Sequence, residues 1–92
     1  MENYRTNEQS LLSYLEEQLS QTEASYIKEV EVYGYWASGE YKKDSSNFGV
    51  ITNEQIDFFM SNTQNRMKPL MFRMMWLESQ INEVKNNLEI SK

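Results

Sequence analysis

Apolar residues in the last third of this chain recur in alternating steps of four and three: Leu70, Met74, Leu77, Ile81, Val84 and Leu88. That is a heptad seam, the spacing that turns one helical stripe toward a partner helix. A second helical face is written near the start, where Leu12, Leu15, Leu19, Thr22, Tyr26, Val30 and Tyr33 follow the same steps. The spacing predicts a first helix from about residue 7 to about residue 37. Some thirty residues would span about 45 Å, too long for a 92-residue globule to cover unless another long helix lies along it.

The tetrad Thr-Asn-Glu-Gln occurs twice, at 6–9 and at 52–55. Each has the form of a capping box, with a Thr cap and a Gln three residues later that reaches back. Both tetrads therefore predict helix starts, and Ile51 with Ile56 would form a hydrophobic staple at the second. Ser38-Gly39 is a stop, because Gly39 can adopt a left-handed conformation. Gly34 costs about 1 kcal/mol in a helix interior, so the helix could kink or end there and leave 35–41 irregular or briefly extended. Residues 40–51 read as a polar connection turning at Asp44-Ser45-Ser46-Asn47, with Phe48, Val50 and Ile51 tucked back and room for a short β-ribbon within 34–51. A short middle helix from Asn53 to about Asn65 buries Ile56, Phe59 and Met60. Pro69 then marks a boundary, since its ring removes a helical hydrogen bond and suits a first turn. The last helix runs to roughly Ile90. The expected fold is all-α: one small domain over 1–92, a long antiparallel helical hairpin with a short helix capping one end.

Composition narrows the chemistry. The chain has no cysteine and no histidine. That removes disulfides, thiolate sites, the commonest general base and the commonest transition-metal ligand. The glycines at 34, 39 and 49 belong to no phosphate-cradling pattern. Neighbouring carboxylates at Glu16-Glu17 and Glu29/Glu31 point in different directions on a helix, whereas acid–base catalysis needs them converging on a pocket. The expectation is a protein that is not an enzyme, with no cofactor and no metal. No apolar run approaches the ~20 residues of a membrane span, and no signal peptide is visible, so a cytoplasmic location is expected.

Charge is unevenly placed. Residues 7–37 carry six acids and one base, while 1–6 and 38–92 each balance, so the whole formal charge of −5 falls on the first helix. A charge-rich helix face is either a solvated side or an electrostatic surface. Glu16, Glu17, Glu23, Glu29 and Glu31 are the candidate partner-binding residues, offering oxygens to a partner's Lys and Arg. Glu16 and Glu23 are seven residues apart, about 10.5 Å along a helix. DNA carries one charge per ~1.7 Å of axis, so one helix is too sparse to imitate it, and two subunits would have to align their acidic faces.

Two apolar clusters add candidate surfaces. Tyr33-Gly34-Tyr35-Trp36, with Tyr41 nearby, reads as helix-end packing or as an interface anchor. Met71, Phe72, Met75 and Trp76 lie off the seam of the last helix and would meet the short helix or a second subunit. Tyr35, Trp36, Met71, Met75 and Trp76 are thus the candidates for a homodimer or other interface.

The stretch Ser13-Tyr14-Leu15-Glu16-Glu17-Gln18-Leu19, running on through Tyr26 to Tyr33-Gly34-Tyr35-Trp36, resembles the small anti-restriction proteins of T-even bacteriophages, the Arn family. The length, acidity and helix-first layout agree, and an Asn/Lys/Ile-leaning composition suits an AT-rich phage genome. The resemblance covers about the first half of the chain and includes no catalytic motif. It implies a dimeric DNA mimic acting in the host cytoplasm, which evades host defence by occupying the DNA-binding surface of a McrBC-type restriction endonuclease without binding nucleic acid itself. A helical adaptor or assembly protein, binding through its Met/aromatic face, is the other reading.

Overall fold

The computed structural model describes residues 2–44 and 49–90. Two long helices, α1 (Glu2–Ala37) and α2 (Asn53–Ile90), pack antiparallel, and a 3-10 turn (Glu40–Asp44) follows α1. The result is a rod of 65 × 18 × 15 Å with a radius of gyration of 19.9 Å. A compact chain of this length would have a radius of about 12 Å.

The burial pattern is a heptad on both helices. With positions labelled a to g, α1 places Glu8, Leu15, Thr22, Glu29 and Trp36 at d and Leu12, Leu19, Tyr26 and Tyr33 at a. On α2, Ile56, Thr63, Leu70, Leu77 and Val84 sit at d, and Met60, Met67, Met74, Ile81 and Leu88 at a. Every one of these residues is buried or half-buried. The dry core is concentrated toward the chain ends, where Leu15, Leu77, Ile81 and Val84 are buried and Leu12, Leu19 and Leu88 pack against them. Toward the connection the seam turns polar. Thr22 and Thr63 are buried there, and each hydroxyl donates to the carbonyl four residues back, Gln18 at 2.7 Å and Phe59 at 2.8 Å. That local bond lets a hydroxyl sit in a helical interface without stranding its donor.

Several expectations are corrected. There is no separate middle helix: α2 runs unbroken through Pro69. The seam explains why, since the steps 56, 60, 63, 67, 70, 74, 77 keep phase across the proline. Pro69 lies at c, exposed, so the carbonyl of exposed Asn65 that loses its partner faces water. At the other end, α1 begins at Glu2, so position 6 lies inside the helix and is not its start. Nothing among residues 2–5 breaks a helix. The seam of α1 passes through Glu29 rather than Val30, because the step after Tyr26 is three and not four; Val30 is exposed. Val50 does not tuck back but stands 94% exposed. Among the described residues no strand is present, and α1 continues through Gly34 to Ala37, with the Ser38 amide donating to the Gly34 carbonyl at 2.9 Å. Phe48 and the turn at 45–47 lie outside the described residues.

The other two terminal signals hold. Gly39 has φ +84° just past α1. At Thr52 the capping box is complete: the Thr52 amide donates to Gln55 Oε1 at 3.0 Å, and the Gln55 amide donates to Thr52 Oγ1 at 3.2 Å. Among the described residues, no helix is long and apolar enough to cross a membrane.

An unbroken α2 has a thermodynamic signature. Replacing Pro69 by Ala restores the missing hydrogen bond and should raise unfolding free energy by about 1–3 kcal/mol in denaturant titrations. A loss of stability would mean that the proline ends one helix and starts another.

Candidate interaction surfaces

Two helices side by side bury one stripe each, so every other face is available for binding. The polar contacts across the seam fix how the flanking positions meet. Lys85 lies 4.0 Å from Glu16, joining an e position to an e position. Arg73 Nη2 donates to Gln18 Oε1 at 3.2 Å, joining g to g. The hairpin therefore has an e edge and a g edge, each built from both helices.

Charge divides between these edges. Among the described residues the e edge carries Glu16 and Glu23 from α1 with Asp57 and Glu78 from α2, against one cation, Lys85. The g edge carries Arg66 and Arg73 and no acid. Arg66 leans into the seam, where its Nε donates to Glu29 Oε2 at 2.9 Å and its Nη2 to Thr63 Oγ1 at 3.2 Å. The five glutamates singled out from the sequence are thus spread over three faces. Glu16 and Glu23 share the e edge. Glu17 and Glu31 share the outward f row of α1, with Ala24 between them. Glu29, its side chain 22% exposed, is an internal partner of Arg66. Asp57 and Glu78 were missed, because only the pairing of α2 with α1 places them beside Glu16 and Glu23.

The connection end holds an aromatic cluster. Trp36 stacks on Phe59 at 4.5 Å between ring centroids, meets Tyr35 edge-on at 5.1 Å and lies 5.5 Å from Tyr41. These contacts seal the end of the seam, so Tyr35 and Trp36 perform the helix-end packing. An open groove of about 380 Å³ remains beside them, lined by Trp36, Val50, Ile51, Gln55 and Phe59. The Tyr35 hydroxyl donates to Asp44 Oδ2 at 2.9 Å and ties the 3-10 turn to α1. Desolvation, that hydrogen bond, and the negative charges of Asp44 and Glu40 together push the Tyr35 pKa up.

The Met/aromatic face points away from the seam. Phe72 is 68% exposed, Met75 62% and Trp76 54%, and Met71 is exposed beside them. No separate middle helix covers them, and they stay exposed as one patch on α2. Among the described residues, no three His, Cys, Asp or Glu side chains are grouped to hold a metal ion.

Comparison with known protein families, curated proteins and solved structures finds no match to this chain.

Two outcomes follow from this geometry. Arg66→Ala leaves Glu29 in the seam without its cation and should cost about 1–3 kcal/mol. Adding Glu29→Leu should recover most of that loss in the same thermal or denaturant melt, and a double mutant no better than the single would break the argument. Because the Tyr35 phenol is held neutral, NMR titration should find it deprotonating above the ordinary tyrosine value of about 10. Asp44→Asn should lower its pKa. The stability that the Tyr35–Asp44 contact adds is present below pH ~10 and fades as pH rises through the folded-state pKa.

Proposed function

We propose that this protein is a non-catalytic inhibitor that presents carboxylates in place of DNA phosphates to the DNA-binding surface of a host DNA-handling enzyme. A restriction endonuclease of the McrBC type is the partner that the Arn resemblance suggests. The observation that carries the reading is the separation of charge between the two edges of a narrow rod, with Glu16, Glu23, Asp57 and Glu78 on the e edge and Arg66 and Arg73 on the g edge. A cationic DNA-binding groove would meet the acidic edge and be repelled by the basic one, which fixes orientation as well as attraction. Glu17 and Glu31 extend the anionic surface around the back of α1. A rod of 18 × 15 Å cross-section can lie lengthwise in such a groove.

The adaptor reading has its own supporting observation, the exposed Phe72, Met75 and Trp76. The two readings differ in their response to salt. Carboxylates facing lysines and arginines lose affinity steeply as ionic strength rises, whereas an apolar contact does not.

The test uses a purified McrBC-type endonuclease and its modified DNA substrate. The full chain should block cleavage, and the block should weaken with added salt. Reversing Glu16, Glu23 and Glu78 together to Lys should relieve inhibition by at least tenfold, about 1.4 kcal/mol or more. Undiminished inhibition by that triple variant, or none by the unaltered protein, would overturn the proposal.

A further inference from the structure

We infer that the outward face of α2 is a self-docking surface, and that its occupant is α2 of a second copy of this chain lying antiparallel. The inference stands on the apolar face and does not depend on the acidic edge.

The first argument is area. The chain exposes 7061 Å² for a mass of 11.0 kDa. A compact monomer of that mass exposes about 5,600 Å². The surplus of about 1,400 Å² exceeds the roughly 800 Å² that each partner contributes to a standard interface. Among the described residues the hairpin buries four apolar side chains, Leu15, Leu77, Ile81 and Val84, while Phe72, Met75 and Trp76 stand exposed together on α2. Such an apolar patch with a polar surround marks a protein contact.

The second argument is complementarity in one register only. The outward stripe of α2 reads Asn65, Lys68, Phe72, Met75/Trp76, Ser79, Glu83, Asn86, again in steps of three and four. Consider a two-fold axis midway between Met75 and Trp76. It sets Met75 against Trp76, Phe72 against Ser79, Lys68 against Glu83 and Asn65 against Asn86. Apolar meets apolar, large meets small, cation meets anion and amide meets amide, each pair occurring twice by symmetry. Lys68 and Glu83 each lie about 11 Å along the axis from the centre, within the same contact. All eight side chains are exposed in the hairpin. A parallel pairing would instead set Lys68 on Lys68 and Glu83 on Glu83. Charge thus selects the antiparallel arrangement, as it does at coiled-coil flanks.

The product is a layer of four helices with the two α2 helices at its centre. The two-fold runs across the layer, so both e edges emerge on one side and both g edges on the other. Glu16, Glu23, Asp57 and Glu78 of the two copies then share one face.

Sedimentation equilibrium on the full chain, in the micromolar range, should show a monomer–dimer equilibrium. Phe72→Glu with Trp76→Glu should weaken dimerisation at least tenfold while circular dichroism keeps the helix content. Lys68→Glu should weaken it several-fold, and Lys68→Glu with Glu83→Lys should restore it. A monomer throughout that range, a dimer indifferent to the Phe72/Trp76 change, or a charge swap that fails to rescue would each overturn the assignment.

Discussion

Everything in this molecule depends on one stripe of side chains on each helix staying in phase for about nine turns. A two-helix hairpin has no second layer, so a slip in the seam cannot be absorbed elsewhere. The strict alternation of three- and four-residue steps from Glu8 to Trp36, and from Ile56 to Leu88, is what keeps α1 and α2 together along the 65 Å rod. It also decides what the helices tolerate. Pro69 survives inside α2 because it falls on the water side of the stripe. Gly34 survives inside α1 because the helix packs on either side of it, at Tyr33 and Trp36. Local propensity would break both helices, and the packed seam overrides it.

Much of this was legible in the residues. The seam of α2 from Leu70 to Leu88, the end of α1, the stop at Gly39 and the capping box at Thr52 all carry strong local signals. The misreadings share one cause. Thr6 has the same tetrad as Thr52, yet only Thr52 follows a true break in the chain, and a cap motif cannot announce whether the preceding residues are helical. Val30 looked like a seam residue because it is apolar. The seam instead takes Glu29, which is tolerable only because Arg66, thirty-seven positions later, supplies its cation. Polar seam positions are specified by their partners, and partners on another helix are invisible to a periodicity argument.

The same limitation governed the charge. Counting along the chain assigns the entire −5 to one helix, but a partner meets edges rather than helices. Once α2 is laid against α1, Asp57 and Glu78 join Glu16 and Glu23, while Glu29 is withdrawn into the seam by Arg66. The anionic surface loses one member and gains two, and it acquires a basic opposite side in Arg66 and Arg73. Charge separated in this way around a narrow rod carries directional information that a uniformly acidic helix would lack.

The polarity of the seam also sets where the rod is weakest. Toward the chain ends it is held by Leu15, Leu77, Ile81 and Val84. Toward the connection it relies on threonine hydroxyls bonded within their own helices, one ion pair, and the ring cluster around Trp36. Hydroxyls bonded to their own backbone satisfy themselves without pulling the helices together. Opening should therefore start between Thr22 and Glu29 on α1 and the facing stretch of α2, which includes Met67 and Leu70. The outward patch at Phe72, Met75 and Trp76 lies just beyond that stretch. Any partner seated there would hold α2 where its grip on α1 is changing from polar to dry, so binding and rod stability are linked through the same turns of helix.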